Sequence, residues 1–339
     1  MASSSSSSYV PLGFDEDDDE YANMDYEQEG ESSGIGVGGR FRRDGCIFIP
    51  PDGIKGMGTP IFIIVNEAGE LIDHIALGKI RNFANSQEKI QQFIDLHTPR
   101  RIAINTSGGE LCHKMKIRME ELVQQRNQSY YETAFEEYNS NYVMGGGSSG
   151  NYVETMKVYF IDDVFTTMYV RSAKGSVMYS RYGTDARRES LKLALCLGRH
   201  LQSPLSAICG LWCDRDSSTP GGPLLSVPLH PMQMYVSNES LIKKYERVLI
   251  MATAAVGVDM NRAIQHEHMS AMLPFVPGLG VRKAEALLAS VRQAIAGLDP
   301  NQQYFFQRED LRDPGFKGTR ILLFFSSTLV KCGGTGISN

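Results

Sequence analysis

From Cys46 onward the apolar residues gather in short unbroken runs. Cys46-Ile47-Phe48-Ile49, Ile61 to Val65 and Glu70 to Leu77 each have the length of a strand, and Asn66-Glu67-Ala68-Gly69 supplies a hairpin turn between the last two. Arg101 to Asn105 reads as a buried strand and Val158 to Ile161 as the next strand. Between them the period changes. Ile90, Phe93, Ile94 and His97 fall at helical spacing, with Ser86 as the expected N-cap. Leu111, Met115, Met119 and Leu122 predict a helix from Glu110 to Gln125, followed by a loop rich in Ser, Asn and Gly as far as Asn151. Leu191, Leu193, Ala194, Leu195 and Leu197 predict a third helix. It starts at Asp185 as N-cap, runs to His200 and is ended by Pro204.

The order is therefore strand, strand, strand, helix, strand, helix, strand, helix. An antiparallel hairpin set followed by βα units makes an α/β mixed sheet covered by helices. From Pro231 the pattern is helical: Leu241 to Val256, Met260 to His266, then a hairpin, with no strand needed before about Gly318. The apolar stretch Arg320 to Lys331 reads as either strand or helix.

At 339 residues the chain has the length of about two domains. Its net charge of −5 hides an asymmetry: ten acidic residues and no basic one lie between Asp15 and Glu31, and without them 34 basic residues face 29 acidic ones. Residues 1 to 40 hold a serine run, this acidic run and a Gly/Ser patch, too little apolar surface to offset the entropy of ordering. They are expected to be a disordered acidic tail. With Tyr9, Phe14, Tyr21 and Tyr26 the tail also suits a basic partner such as a histone, a solvated arm being the plain alternative. The six cysteines are scattered, and Cys209 and Cys213 have no second Cys or His pair to complete a zinc site. Buried thiols in a reducing intracellular compartment, and no metal or cofactor, are expected. No segment approaches a membrane span.

The densest chemistry lies at Leu273 to Val291. An apolar lead ends in Pro277-Gly278-Leu279-Gly280, and Ala284, Leu287, Leu288 and Val291 then mark one face of a helix. Two glycines allow a tight corner, and the new helix offers unpaired N–H groups and the positive end of its dipole. That geometry holds an anion, and Arg282 and Lys283 add two cations. The pattern resembles a helix-hairpin-helix module, which grips a nucleic-acid backbone without reading bases. Gly278, Leu279, Gly280, Arg282 and Lys283 are the candidate site. Phe305 to Leu311 resembles the opening of a second hairpin, but Gly315-Phe316-Lys317-Gly318 replaces its Gly-x-Gly.

Four segments together resemble one family: Leu197 to Leu205, His230-Pro231-Met232-Gln233, Val256 to Ala263 and Phe275 to Ala284. They are similar, in order and spacing, to the eukaryotic suppressor of Ty six transcription elongation factors and histone chaperones and to their bacterial relative Tex. The resemblance covers roughly residues 45 to 330. It implies a YqgF domain of RNase H-like fold at 41–230, an all-α helix-hairpin-helix domain at 231–299, and a degenerate second hairpin or truncated C-terminus at 300–339. It also implies a non-catalytic nuclear factor that binds DNA without sequence preference, with histones and the RNA polymerase II elongation machinery as partners. Full members add N-terminal helical segments, an S1 barrel and tandem SH2 domains, so a short paralogue, a domain fragment or a truncated gene model is expected here.

Locally, Gly257 is expected to break a helix and Asp259 to cap the next, a joint rather than a site. His230 reads as a loop histidine. Two rival functions stay open, a pure protein-interaction scaffold and a metal-dependent, junction-resolvase-like nuclease. The nuclease needs converging carboxylates. Asp52 follows two prolines, Asn105 stands where an acid would help, and Glu110 and Asp185 sit at helix starts. With Asp162 and Asp163 they make no convincing triad. Gly36, Gly38 and Gly39 lack the flanking strand and helix of a nucleotide loop.

Overall fold

The computed structural model describes residues 43–51, 59–78, 83–143, 155–183, 188–212, 222–296 and 329–330. The acidic tail, Gly36 to Gly39, Asp52, Asp185, Cys213, the second hairpin and Cys332 lie outside the described residues.

The apolar runs become a five-stranded mixed sheet of order β3-β2-β1-β4-β5, formed by β1 (Asp44–Phe48), β2 (Ile61–Val65), β3 (Leu71–Ala76), β4 (Arg101–Asn105) and β5 (Lys157–Ile161). β1 pairs antiparallel with β2 and parallel with β4, which runs parallel with β5. Successive side chains point to opposite faces, and in β1, β2 and β4 both faces are covered, which is why these three strands read as continuous apolar runs, whereas the edge strands β3 and β5 are only partly buried. Cys46, Phe48, Ile63 and Val65 enter one core, and Ile47, Ile49, Phe62 and Ile64 the other. The hairpin turn forms as expected, with Asn66 and Glu70 bonded across it.

The second core is closed by α1 (Phe83–His97) and α2 (Glu110–Val143). α1 starts three residues before Ser86, so Ser86 is not its N-cap; Phe83-Ala84-Asn85 holds no breaker and the helix runs back through it. α2 continues well past Gln125 into the expected loop. Its second half is polar but contains neither Gly nor Pro, and a nucleated helix propagates through such residues. Between β5 and the next long helix lie three elements too short to leave a periodic signal: α3 (Val164–Arg171), α4 (Ala173–Met178) and a 3-10 turn at Ser180–Tyr182.

The first core is centred on α5 (Glu189–Gln202), where Leu193, Ala194, Leu195, Cys196 and Leu197 are all buried. Pro204 does more than end it, since it opens α6 (Pro204–Trp212). This core runs without a break into the helical half: α7 (Gly222–Leu225), α8 (Asn238–Val256), α9 (Met260–Gln265), α10 (Glu267–Ser270) and α11 (Gly280–Ala296). One expectation fails here. A two-residue strand, β6 (Val258–Asp259), precedes Gly318 and pairs in parallel with β7 (Leu329–Val330). It forms where the chain runs extended between the end of α8 and the cap of α9. Cys46, Cys112, Cys196 and Cys209 are free and buried. No described helix is long and apolar enough to cross a membrane.

Candidate nucleic-acid interface

The hairpin is built on a short apolar anchor. Leu273–Phe275 forms a 3-10 turn, and Leu273, Phe275 and Val276 are buried. The chain then turns through Val276-Pro277-Gly278-Leu279. Leu279 N–H donates to the Val276 carbonyl at 2.9 Å, and Gly278 has φ 78°. Pro at the second position and a left-handed Gly at the third are what a type II turn requires. Gly280, at φ 62°, makes the second corner and opens α11. Behind the turn Leu279, Ala284, Leu287 and Val291 are buried, so the helix face read from the sequence is the face that holds the hairpin to the core.

The corner leaves three amides open. Leu279 N–H is taken by Val276, but no acceptor among the described residues meets the backbone N–H of Gly280, Val281 or Arg282. Gly278, Gly280, Val281, Arg282 and Lys283 are all exposed. The first turn of α11 carries no acid. The guanidinium of Arg282 makes no hydrogen bond or ion pair among the described residues, while the Lys283 ammonium donates to the Gly278 carbonyl at 3.2 Å and so braces the turn. Of the five expected residues, four are thus at the surface around one helix end, and Leu279 contributes by anchoring. Val281 was missed, since an exposed valine carries no chemical signal except through its amide.

The joint upstream has the opposite construction. Gly257, at φ 82°, ends α8. The Asp259 carboxylate accepts from the N–H of Asn261 at 3.0 Å and of Arg262 at 3.3 Å, filling the amino end of α9. His230 is a capping loop residue whose Nδ1 accepts from Met232 N–H at 3.0 Å.

Among the described residues, those considered for hydrolysis have structural partners. Asn105 is fully buried; it accepts from Ile49 N–H at 2.8 Å and donates to the Ile49 carbonyl at 2.9 Å, tying β1 to β4. Asp163 accepts from Ser107 N–H at 3.2 Å and from the Ser107 hydroxyl. Asp162 accepts from Val164 N–H at 3.0 Å. The exposed carboxyl of Glu110 is held below its ordinary range by Lys114, 2.9 Å away. Among the described residues no three His, Cys, Asp or Glu side chains group as a metal site would need.

A second cluster went unseen in the sequence. The buried guanidinium of Arg199 donates from Nε to the Gly69 carbonyl at 2.8 Å and from Nη1 to the Tyr179 hydroxyl at 3.2 Å. Gln202 donates to the Asn66 carbonyl at 2.7 Å. From the helical half, His266 Nδ1 lies 3.4 Å from a Glu70 carboxylate oxygen, and the His268 carbonyl accepts from the Ser206 hydroxyl of α6. Burial, with the positive Arg199 and neighbouring His266, lowers the His268 pKa to about 3. The β2–β3 turn is clamped between α5 and α10. Its partners are far apart in sequence, so spacing could not reveal them.

A helix-hairpin-helix motif family matches residues 223–310. The Arabidopsis thaliana protein named transcription elongation factor SPT6 homolog is 24% identical over 251 residues, covering 70% of this chain and 14% of that relative. The SPT6-like transcription elongation factor of the same plant is 28% identical over 254 residues, 70% of this chain and 17% of its own length. The Drosophila melanogaster transcription elongation factor SPT6 is 31% identical over 148 residues, 44% of this chain and 8% of its own. The chain thus spans less than a fifth of the length of these relatives.

Proposed function

We infer that this chain, a sequence relative of the SPT6 transcription elongation factors, is a non-catalytic module of transcription elongation that binds nucleic acid through backbone phosphates. Gly278, Leu279, Gly280, Arg282 and Lys283 form the contact. One observation carries this reading: among the described residues nothing occupies three amides of α11 or the guanidinium of Arg282 beside them, at an exposed corner fixed by a buried anchor. A phosphate oxygen there meets hydrogen-bond donors and a helix dipole of the right sign. Contacts of this kind position a duplex without reading its sequence.

The strand order β3-β2-β1-β4-β5 supports an RNase H-like reading of the first half, with the sheet as scaffold rather than catalyst. The engagement of Asn105 with Ile49 and of Asp163 with Ser107 favours that scaffold over the metal-dependent nuclease. Histone binding by the acidic tail, a place in the RNA polymerase II elongation machinery and a nuclear location complete the proposal. They rest on kinship and, for the tail, on its charge.

The test is fluorescence anisotropy of labelled duplex DNA with the full chain. Binding should be indifferent to sequence, and log K should fall against log salt by about 0.9 per neutralised phosphate. Arg282→Glu with Lys283→Glu should abolish it; unchanged DNA retention by the double variant would refute the assignment.

A further inference from the structure

α8 has a second face that the described residues leave exposed. Leu249 and Thr253 are buried and define its core side. At about 100° per residue, Lys244, Arg247, Val248, Met251 and Ala255 fall on the opposite side. All five are exposed, Val248 at 59% and Met251 at 61%. The outward side of a surface helix is ordinarily polar. Here only its amino-terminal half is, and the carboxy-terminal half is apolar and ends in a small residue. No ion pair among the described residues occupies Lys244 or Arg247.

We propose that this face of α8 docks an acidic amphipathic helix of a partner polypeptide. The division of the face selects the occupant. Val248, Met251 and Ala255 offer a helix an apolar strip, with alanine permitting close approach of its backbone. Lys244 stands one turn before Val248 and Arg247 one turn before Met251, so both meet carboxylates on the same incoming helix. A nucleic-acid strand would find phosphate partners at Lys244 and Arg247 but nothing for its charge at Val248, Met251 and Ala255. A partner with a basic polar face would be repelled where an acidic one is held. The surface is distinct from the hairpin at Gly278 to Lys283 and does not depend on it.

The experiment uses the full chain and a labelled helical peptide of about three heptads, with leucines at i, i+3, i+4 and i+7 and glutamates on the flanks. The same peptide with lysine for glutamate, and a labelled DNA duplex, serve as comparison probes. The acidic peptide should bind, and Met251→Glu and Lys244→Glu should each weaken it about tenfold or more, a change of about 1.4 kcal/mol. Thermal melts of both variants should match wild type, because neither side chain is in the core. Equal binding of the lysine peptide, or indifference to both substitutions, would overturn the proposal. So would a loss of duplex affinity in Lys244→Glu, which would make the face a nucleic-acid surface. A concentration-dependent dimer in sedimentation that Met251→Glu abolishes would also overturn it, by making the occupant a second copy.

Discussion

Oδ1 of Asp259 lies 3.0 Å from the backbone nitrogen of Asn261, so α9 begins with its own carboxylate in place. Twenty residues after the start of α9, α11 begins at Gly280 behind Leu279, whose side chain has no atom to accept a hydrogen bond. Two helices in one small region therefore treat the same physical problem in opposite ways. One satisfies its free amides with its own carboxylate, and the other's find no acceptor among the described residues. The first is a joint, and the second has the electrostatics of an anion site.

Replacing Asp259 with Ala should destabilise the protein by about 1 kcal/mol, the usual worth of an N-cap. Asp259→Asn should retain most of that, since an amide oxygen can accept the same bonds. Urea midpoints measure both. Duplex affinity should not follow the stability loss; a matching fall in DNA binding would mean that the joint and the hairpin are one unit.

Gly280→Ala tests the corner itself. A Cβ at Gly280 meets nothing within 4 Å, so any effect comes from the left-handed backbone rather than from collision. The cost should be about 1 kcal/mol, or a few degrees in Tm. Gly280→Asn should cost less, because asparagine tolerates that conformation better. Thermal melts showing no difference between Gly, Asn and Ala would place Gly280 outside the strained region.

Arg199→Lys should be more damaging than its conservative appearance suggests. The guanidinium holds the Gly69 carbonyl and the Tyr179 hydroxyl at once, in a buried position that an ammonium cannot reproduce. A loss of about 2 kcal/mol is expected from the hydrogen bonds to a charged group. Hydrogen exchange should rise first in the β2–β3 turn, and protection there equal to wild type would contradict the clamp.

The His268 side chain links that clamp to pH. Its pKa is lowered from 6.5 to about 3, chiefly by burial and then by Arg199 and His266, so the folded protein keeps it neutral where the unfolded chain takes up a proton. Its contribution is complete above pH 6.5 and is progressively lost as pH falls toward 3. Between pH 7 and pH 4.5 the urea midpoint of wild type should drop further than that of His268→Gln. Parallel drops would show that His268 is accessible to protons in the folded state.

The sequence disclosed what depends on local pattern and missed what depends on distant partners. β1, β2 and β4 were legible because both of their faces are buried, leaving runs such as Ile61 to Val65 without polar interruption, while the edge strands β3 and β5 showed through the hairpin turn and a short apolar run. Ala284, Leu287 and Val291 disclosed the packed face of α11 by spacing alone. Asp259 and Gly257 declared a helix joint through residue type. The end of α2 was misread because Ser and Asn content suggested a loop where the absence of Gly and Pro let the helix run on. The pair of short helices α3 and α4 fell below the length at which a period can be recognised. Arg199 and Gly69 stand 130 residues apart, and nothing in either neighbourhood announces the other. At the hairpin, residue types pointed to the corner, whereas the free state of the amides after Leu279 needed coordinates.

The most direct measurement is a titration of isotopically labelled protein with a short DNA duplex, following backbone amide resonances. The amides of Gly280, Val281 and Arg282 should shift first and saturate together, and salt should reverse the shift. Saturable binding with those three signals unmoved and shifts elsewhere would contradict the claim that the open end of α11 holds the phosphate.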